Sequence, residues 1–129
     1  MGSVLHLPMN RKWFNLVYSG EKKEEYRLFK PHWATRIRRW IDSNSSDNIV
    51  THLTPDHGAE RSILMEADGK NLLICFFNGY QKNAPKFNAM CSRVELRKES
   101  LHPEWGEDAY QGELHFVLHI GQVEKGEKK

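Results

Sequence analysis

The feature that most constrains this chain is Leu72-Leu73-Ile74-Cys75-Phe76-Phe77, an unbroken apolar run that stops at Asn78-Gly79. A run this short, closed by a turn pair, reads as a strand buried on both faces. A sheet must therefore surround it. Phe87–Arg97 reads as another strand, with Phe87, Ala89, Cys91 and Val94 inward. The slip in its alternation suits a β-bulge. In the last strand Leu114, Phe116, Leu118 and Ile120 alternate with Glu113, His115, Val117 and His119, so one face is expected to be buried and the other solvated.

The first third carries the helices. Asn10 is placed to cap Arg11–Ser19, and Gly20 to end it, because glycine takes the left-handed C′ conformation without strain. Pro31 suits the first turn of a second helix. There Trp33, Ile37, Trp40 and Ile41 recur at i, i+4, i+7 and i+8, an apolar stripe that leaves Arg36, Arg38 and Arg39 largely outside it. The stripe reads as core rather than as a base-stacking platform. Residues 42–70 are polar and read as an exposed insertion, with short strands at Ile49–Leu53 and Ser62–Glu66. The tail Glu124–Lys129 is charged and expected to fray. Strands with two early helices predict an α+β fold built on a small β-barrel, in one domain spanning 1–129.

At 129 residues, 39% hydrophobic and 28% charged, the chain can bury a core, and its composition is not that of a disordered tail. No stretch approaches the roughly 20 apolar residues of a membrane span. The start lacks the basic and apolar regions of a signal peptide. Cys75 and Cys91 lie in strand-like runs and read as free core thiols, so a cytoplasmic location is expected. The net charge of +2 is unevenly distributed. Residues 1–40 hold nine Lys or Arg against three Glu, residues 41–70 two against six acids, and the remainder eight of each. The basic first third suits an anionic partner or a merely solvated face.

Within it, Gly20-Glu21-Lys22-Lys23-Glu24-Glu25-Tyr26-Arg27 concentrates charge in a segment expected to be extended from Lys22 to Leu28. A solvated edge strand looks like this. On a regular strand Glu25 and Arg27 share a face while Lys22 faces the other way, so the three converge only through a turn or bulge. Converged, they carry chemistry. Arg27 presents a planar donor fork for a phosphate or base edge, Glu25 orients it, and Lys22 acts as a phosphate contact or a nucleophile. Asn78, Tyr80 and Lys82 stand at a turn, where Asn suits a base edge and Tyr a stacking contact, or simply ordinary turn chemistry. His32, His102, His115 and His119 show no ligand spacing beyond His115 and His119, which on a strand share one solvent face rather than grip a metal. No nucleophile elbow or phosphate-binding glycine loop occurs, and no metal or cofactor is expected.

Gly20-x-Lys22-x-x-Glu25-x-Arg27 resembles the G-x-K-x-x-E-x-R motif of the ASCH domain family, which is related to PUA domains. Leu5-His6-Leu7-Pro8-Met9, Trp13-Phe14, Ser19–Lys22, Phe77–Tyr80, Pro103–Gly106 and the last strand resemble segments of ASCH proteins from bacteria and their phages. The resemblance implies a PUA-like barrel whose motif-lined cleft binds RNA or a modified nucleotide. Since the basic first third coincides with the motif, Lys22, Glu25 and Arg27 are expected in the cleft, with Arg11, Lys12, Lys30, Arg36 and Arg39 as a basic rim. Some members are small hydrolases, amidohydrolases on acylated cytidine or ribonucleases. In the amidohydrolases a lysine, a threonine and a later glutamate act together. Lys22 matches the lysine, but Glu25 stands where the threonine would be.

Overall fold

Six strands and two helices account for the regular structure of the computed structural model, which describes residues 3–44, 61–66, 72–79, 83–98, 103–105 and 113–124. The elements are β1 (Leu5–Met9), α1 (Arg11–Tyr18), β2 (Glu24–Leu28), α2 (Pro31–Asn44), β3 (Arg61–Glu66), β4 (Leu72–Asn78), β5 (Lys86–Arg97) and β6 (His115–Glu124), with one 3-10 turn at Pro103–Trp105. The class is α+β, as expected. The strands form one curled, barrel-like mixed sheet in the order β1-β4-β5-β6-β2. Only β1 and β4 run parallel; the other ladders are antiparallel.

The central strand is β5, and its length decides the architecture. One edge pairs with β6 from Asn88 to Arg97. The other edge is shared, with β4 against Lys86–Cys91 and β3 against Arg93–Arg97. The register slips twice near Cys91, which is the expected bulge. Bulges bend a strand and increase its twist, which suits a sheet that must curl.

The apolar positions of that sheet face the helices. Leu5, Leu7, Ile74, Phe76, Ala89, Val94, Leu96, Phe116 and Leu118 form one buried cluster with Val17 of α1 and Ile37, Trp40 and Ile41 of α2. Each fully buried large aliphatic or Phe side chain contributes about 1.5–3 kcal/mol. The Trp40 indole adds direction by donating to the Leu73 carbonyl of β4 at 3.0 Å. The stripe on α2 is thus core at three of its four positions, while Trp33 remains partly exposed.

Two expectations change. The last strand is not half-solvated, because His115 and Val117 are as fully buried as Phe116 and Leu118. β6 is an inner strand between β5 and β2, and its outward face carries a buried polar network. Asp42–Asn44 belong to the last turn of α2 rather than to an insertion. Ser62–Glu66 is a strand as expected, starting one residue earlier, whereas Ile49–Leu53 lies outside the described residues. No helix among the described residues is long and apolar enough to cross a membrane.

Cys75 and Cys91 are free and buried on separate strands. Burial pushes the Cys91 thiol up to about 12, and that of Cys75 upward as well. Since the thiolate is the reactive species, neither should be alkylated by iodoacetamide at pH 8 in the native protein, and both should react in denaturant. Mass spectrometry of the two reactions checks this.

Candidate functional site

The Gly20–Arg27 segment starts as a helix ending. Asn10 caps α1, its side-chain oxygen accepting from the Trp13 N–H at 3.2 Å. Gly20 closes the helix at φ +87°, where a side chain would be strained. Its N–H reaches the Val17 carbonyl and the Lys22 N–H returns to the Leu16 carbonyl, each at 3.0 Å. The chain therefore doubles back, and β2 starts at Glu24 instead of Lys22. This turn sends Lys22 inward.

Lys22 is 1% exposed. Its ammonium donates to Glu25 Oε1 and to the Glu24 carbonyl. The other oxygen of Glu25 takes Arg27 Nη2 at 2.9 Å. That nitrogen also donates to the Pro8 carbonyl at 2.9 Å and lies 3.4 Å from Met9 Sδ, so Arg27 spans from β2 to β1. These are the two end strands of the sheet. Arg27 Nε has no hydrogen-bond partner among the described residues. Aromatic rings flank the triad, with Lys22 Nζ 5.7 Å from the Tyr26 ring centre and 6.0 Å from that of Trp13, and the Arg27 guanidinium 5.0 Å from that of Trp33. Lys22, Glu25 and Arg27 thus converge. The solvated edge strand considered from sequence is not what forms, since Glu24, Glu25 and Tyr26 are all buried.

A cavity of about 340 Å³ adjoins the turn, lined by Tyr18, Ser19, Gly20, Lys22 and Lys23 on one side and Ile120, Gly121 and Val123 of β6 on the other. The other sequence candidates lie elsewhere. Asn78 donates to the Met9 carbonyl at 3.4 Å, joining the ends of β4 and β1. Arg11 and Lys12 are exposed on the first turn of α1. Tyr80 and Lys82 fall outside the described residues.

The opposite face of β2 holds a second network that sequence reading did not find. The Tyr26 hydroxyl donates to Glu24 Oε1 at 2.7 Å. Glu24 Oε2 lies 3.6 Å from His119 Nδ1, and His119 Nε2 lies 3.0 Å from Glu95 Oε1. Glu95, 1% exposed, also pairs with Arg97 at 3.4 Å and Arg93 at 3.7 Å. His115 and His119 were expected on a solvent face; instead His115 is fully buried and His119 sits between two carboxylates. The period-two charges Arg93, Glu95 and Arg97 signal a polar sheet face and pair with one another along β5, but the link to His119 and Glu24 crosses to other strands. No group of three or more metal-ligating side chains occurs among the described residues.

Comparison with protein-family models, curated proteins and solved structures finds no match.

Removing one member of a buried charge set leaves the others uncompensated, at about 3–5 kcal/mol. Glu25→Ala should thus lose about that much stability, and Lys22→Met/Glu25→Leu/Arg27→Met together less than the sum of the three single changes. Urea unfolding of Glu25→Ala, the three single variants and the triple variant measures this.

Burial also lowers the His115 pKa from 6.5, and its Nδ1 must carry the proton because the Glu113 carbonyl 2.7 Å away only accepts. A histidine lowered on folding takes up its proton first in the unfolded chain. Its contribution is therefore complete above pH 6.5 and declines as pH falls toward the folded value, by at most about 1.4 kcal/mol per pH unit for one proton. Denaturant melts at pH 7.5 and 5.5 should show this loss, and His115→Gln should flatten it.

Proposed function

We propose that this chain is an ASCH-type domain that recognises RNA or a nucleotide beside its Gly20–Arg27 segment. The observation that carries the reading is the convergence of Glu25 and Arg27 on Lys22, which with the rest of its turn lines a cavity. At about 340 Å³ the cavity lies near the lower end of small-ligand sites, a size that suits one nucleoside. Tyr18 supplies an aromatic face to a base and exposed Lys23 a cation to a phosphate. The triad's part is to hold this turn in shape, since most of its donors are already engaged within the protein. A PUA-like barrel is the finer fold we assign, supported by the curled sheet and by the contact between its end strands. The free core thiols suit a reducing cytoplasm, and the motif's flanking segments a bacterial or phage source.

A hydrolase using Lys22 is the second reading, favoured by the contact of Lys22 with Glu25 beside the cavity. Product analysis after incubation with acylated cytidines and with RNA addresses it, and no turnover of either removes it.

Calorimetric titration with mononucleotides tests the binding reading. Lys23→Glu and Tyr18→Leu, which spare the triad, should each weaken binding about tenfold with the fold intact by circular dichroism. The absence of binding by the unaltered protein at millimolar mononucleotide would overturn it.

A further inference from the structure

Both helices begin at one corner of the sheet. α1 starts two residues after Met9 and α2 four residues after Arg27, and Arg27 contacts Pro8 and Met9. Neither helix has an acidic residue in its first turn. Bases stand there instead: Arg11 and Lys12 at the start of α1, Lys30 just before α2 and Arg36 in its second turn, all four exposed. Cations near a helix start oppose the macrodipole, most strongly in the first turn. The chain keeps this unfavourable charge at two helix starts, side by side, and sites where local rules are broken tend to be functional.

The same helix turns carry aromatic rings. Trp13 and Trp33 each occupy the third position of their helix, and both are partly exposed. Lys12 Nζ lies 4.5 Å from the Trp13 ring centre, and the Arg36 guanidinium 5.9 Å from that of Trp33. Between the two rings run Lys22, Glu25 and Arg27 in unbroken contact. Interleaved exposed cations and flat rings are the chemistry that holds a single strand, with phosphates on the cations and bases on the rings.

We infer that this corner is a binding surface for single-stranded nucleic acid, with Arg11, Lys12, Lys30 and Arg36 meeting phosphates and Trp13 and Trp33 stacking bases. The ligand class rests on the reading proposed above, and it makes that ligand one nucleotide of a longer strand rather than a free nucleoside. The surface is separate from the cavity, which lies at the other end of α1.

The two are tested apart, using fluorescence anisotropy of 12-nucleotide RNA and DNA probes of mixed sequence and titration with mononucleotides. Either probe should bind at least tenfold more tightly than a mononucleotide. The salt dependence should approach a log–log slope of about −3, from four phosphate contacts at about 0.7 each. Lys12→Glu/Arg36→Glu should weaken probe binding at least tenfold, reduce the slope by about 1.4, and leave mononucleotide binding unchanged. Trp13→Phe and Trp33→Phe, which keep a ring, should retain most of the affinity. Probes that bind no more tightly than a mononucleotide would overturn the inference while sparing the cavity. So would probe affinity that stays within twofold in the charge-reversal variant. Binding of the probes at this corner with no mononucleotide binding would support the surface and sink the cavity.

Discussion

The contact of Arg27 with the Pro8 carbonyl joins the two end strands of an open sheet. Strands at the ends of a sheet present unpaired backbone groups, and a barrel normally satisfies them by closing its ladder. Here a side chain spans from one end to the other. Pro8 has no N–H to offer a ladder, and its carbonyl takes a guanidinium donor instead. Glu25 holds that guanidinium with one carboxylate oxygen and the Lys22 ammonium with the other, so the α1–β2 turn, the start of β2 and the end of β1 share one electrostatic latch. Both the cavity and the basic corner border it.

Such a latch is an expensive way to hold two strands. Desolvating three charged groups costs several kcal/mol per ion, and apolar residues of similar size often stabilise as well. What charges add is geometry. A bidentate carboxylate between an ammonium and a guanidinium fixes directions as well as distances, whereas apolar contacts tolerate sliding. The network of Tyr26, Glu24, His119, Glu95, Arg93 and Arg97 on the other face of β2 has the same character. β2 is thus held by polar groups on both faces, unlike β4, whose contacts are almost wholly apolar.

Much of this was legible before any coordinates. The end of α1 at Gly20, the buried β4, the irregular β5 and the core face of α2 follow from periodicity and from glycine's freedom at positive φ. The site was legible in part. The motif spacing picked out Lys22, Glu25 and Arg27, and the need for a bend at Lys22 follows from strand alternation. The bend itself depends on a hydrogen bond back to Leu16. His115 was misread because alternation along one strand says nothing about what lies on either side of it.

The sequence by itself determined most of the elements, the buried run of β4, the core stripe of α2 and the position of the charged segment, because these depend on residues within a few positions of one another. Only the tertiary structure decided that β1 lies parallel to β4, that β2 pairs with β6, and that Arg27 reaches Pro8. Those contacts join residues far apart in the chain, and local pattern names neither the partner of a strand edge nor that of a buried charge. The apolar run from Leu72 to Phe77 required a sheet, and buried charge at its two ends set how that sheet was joined.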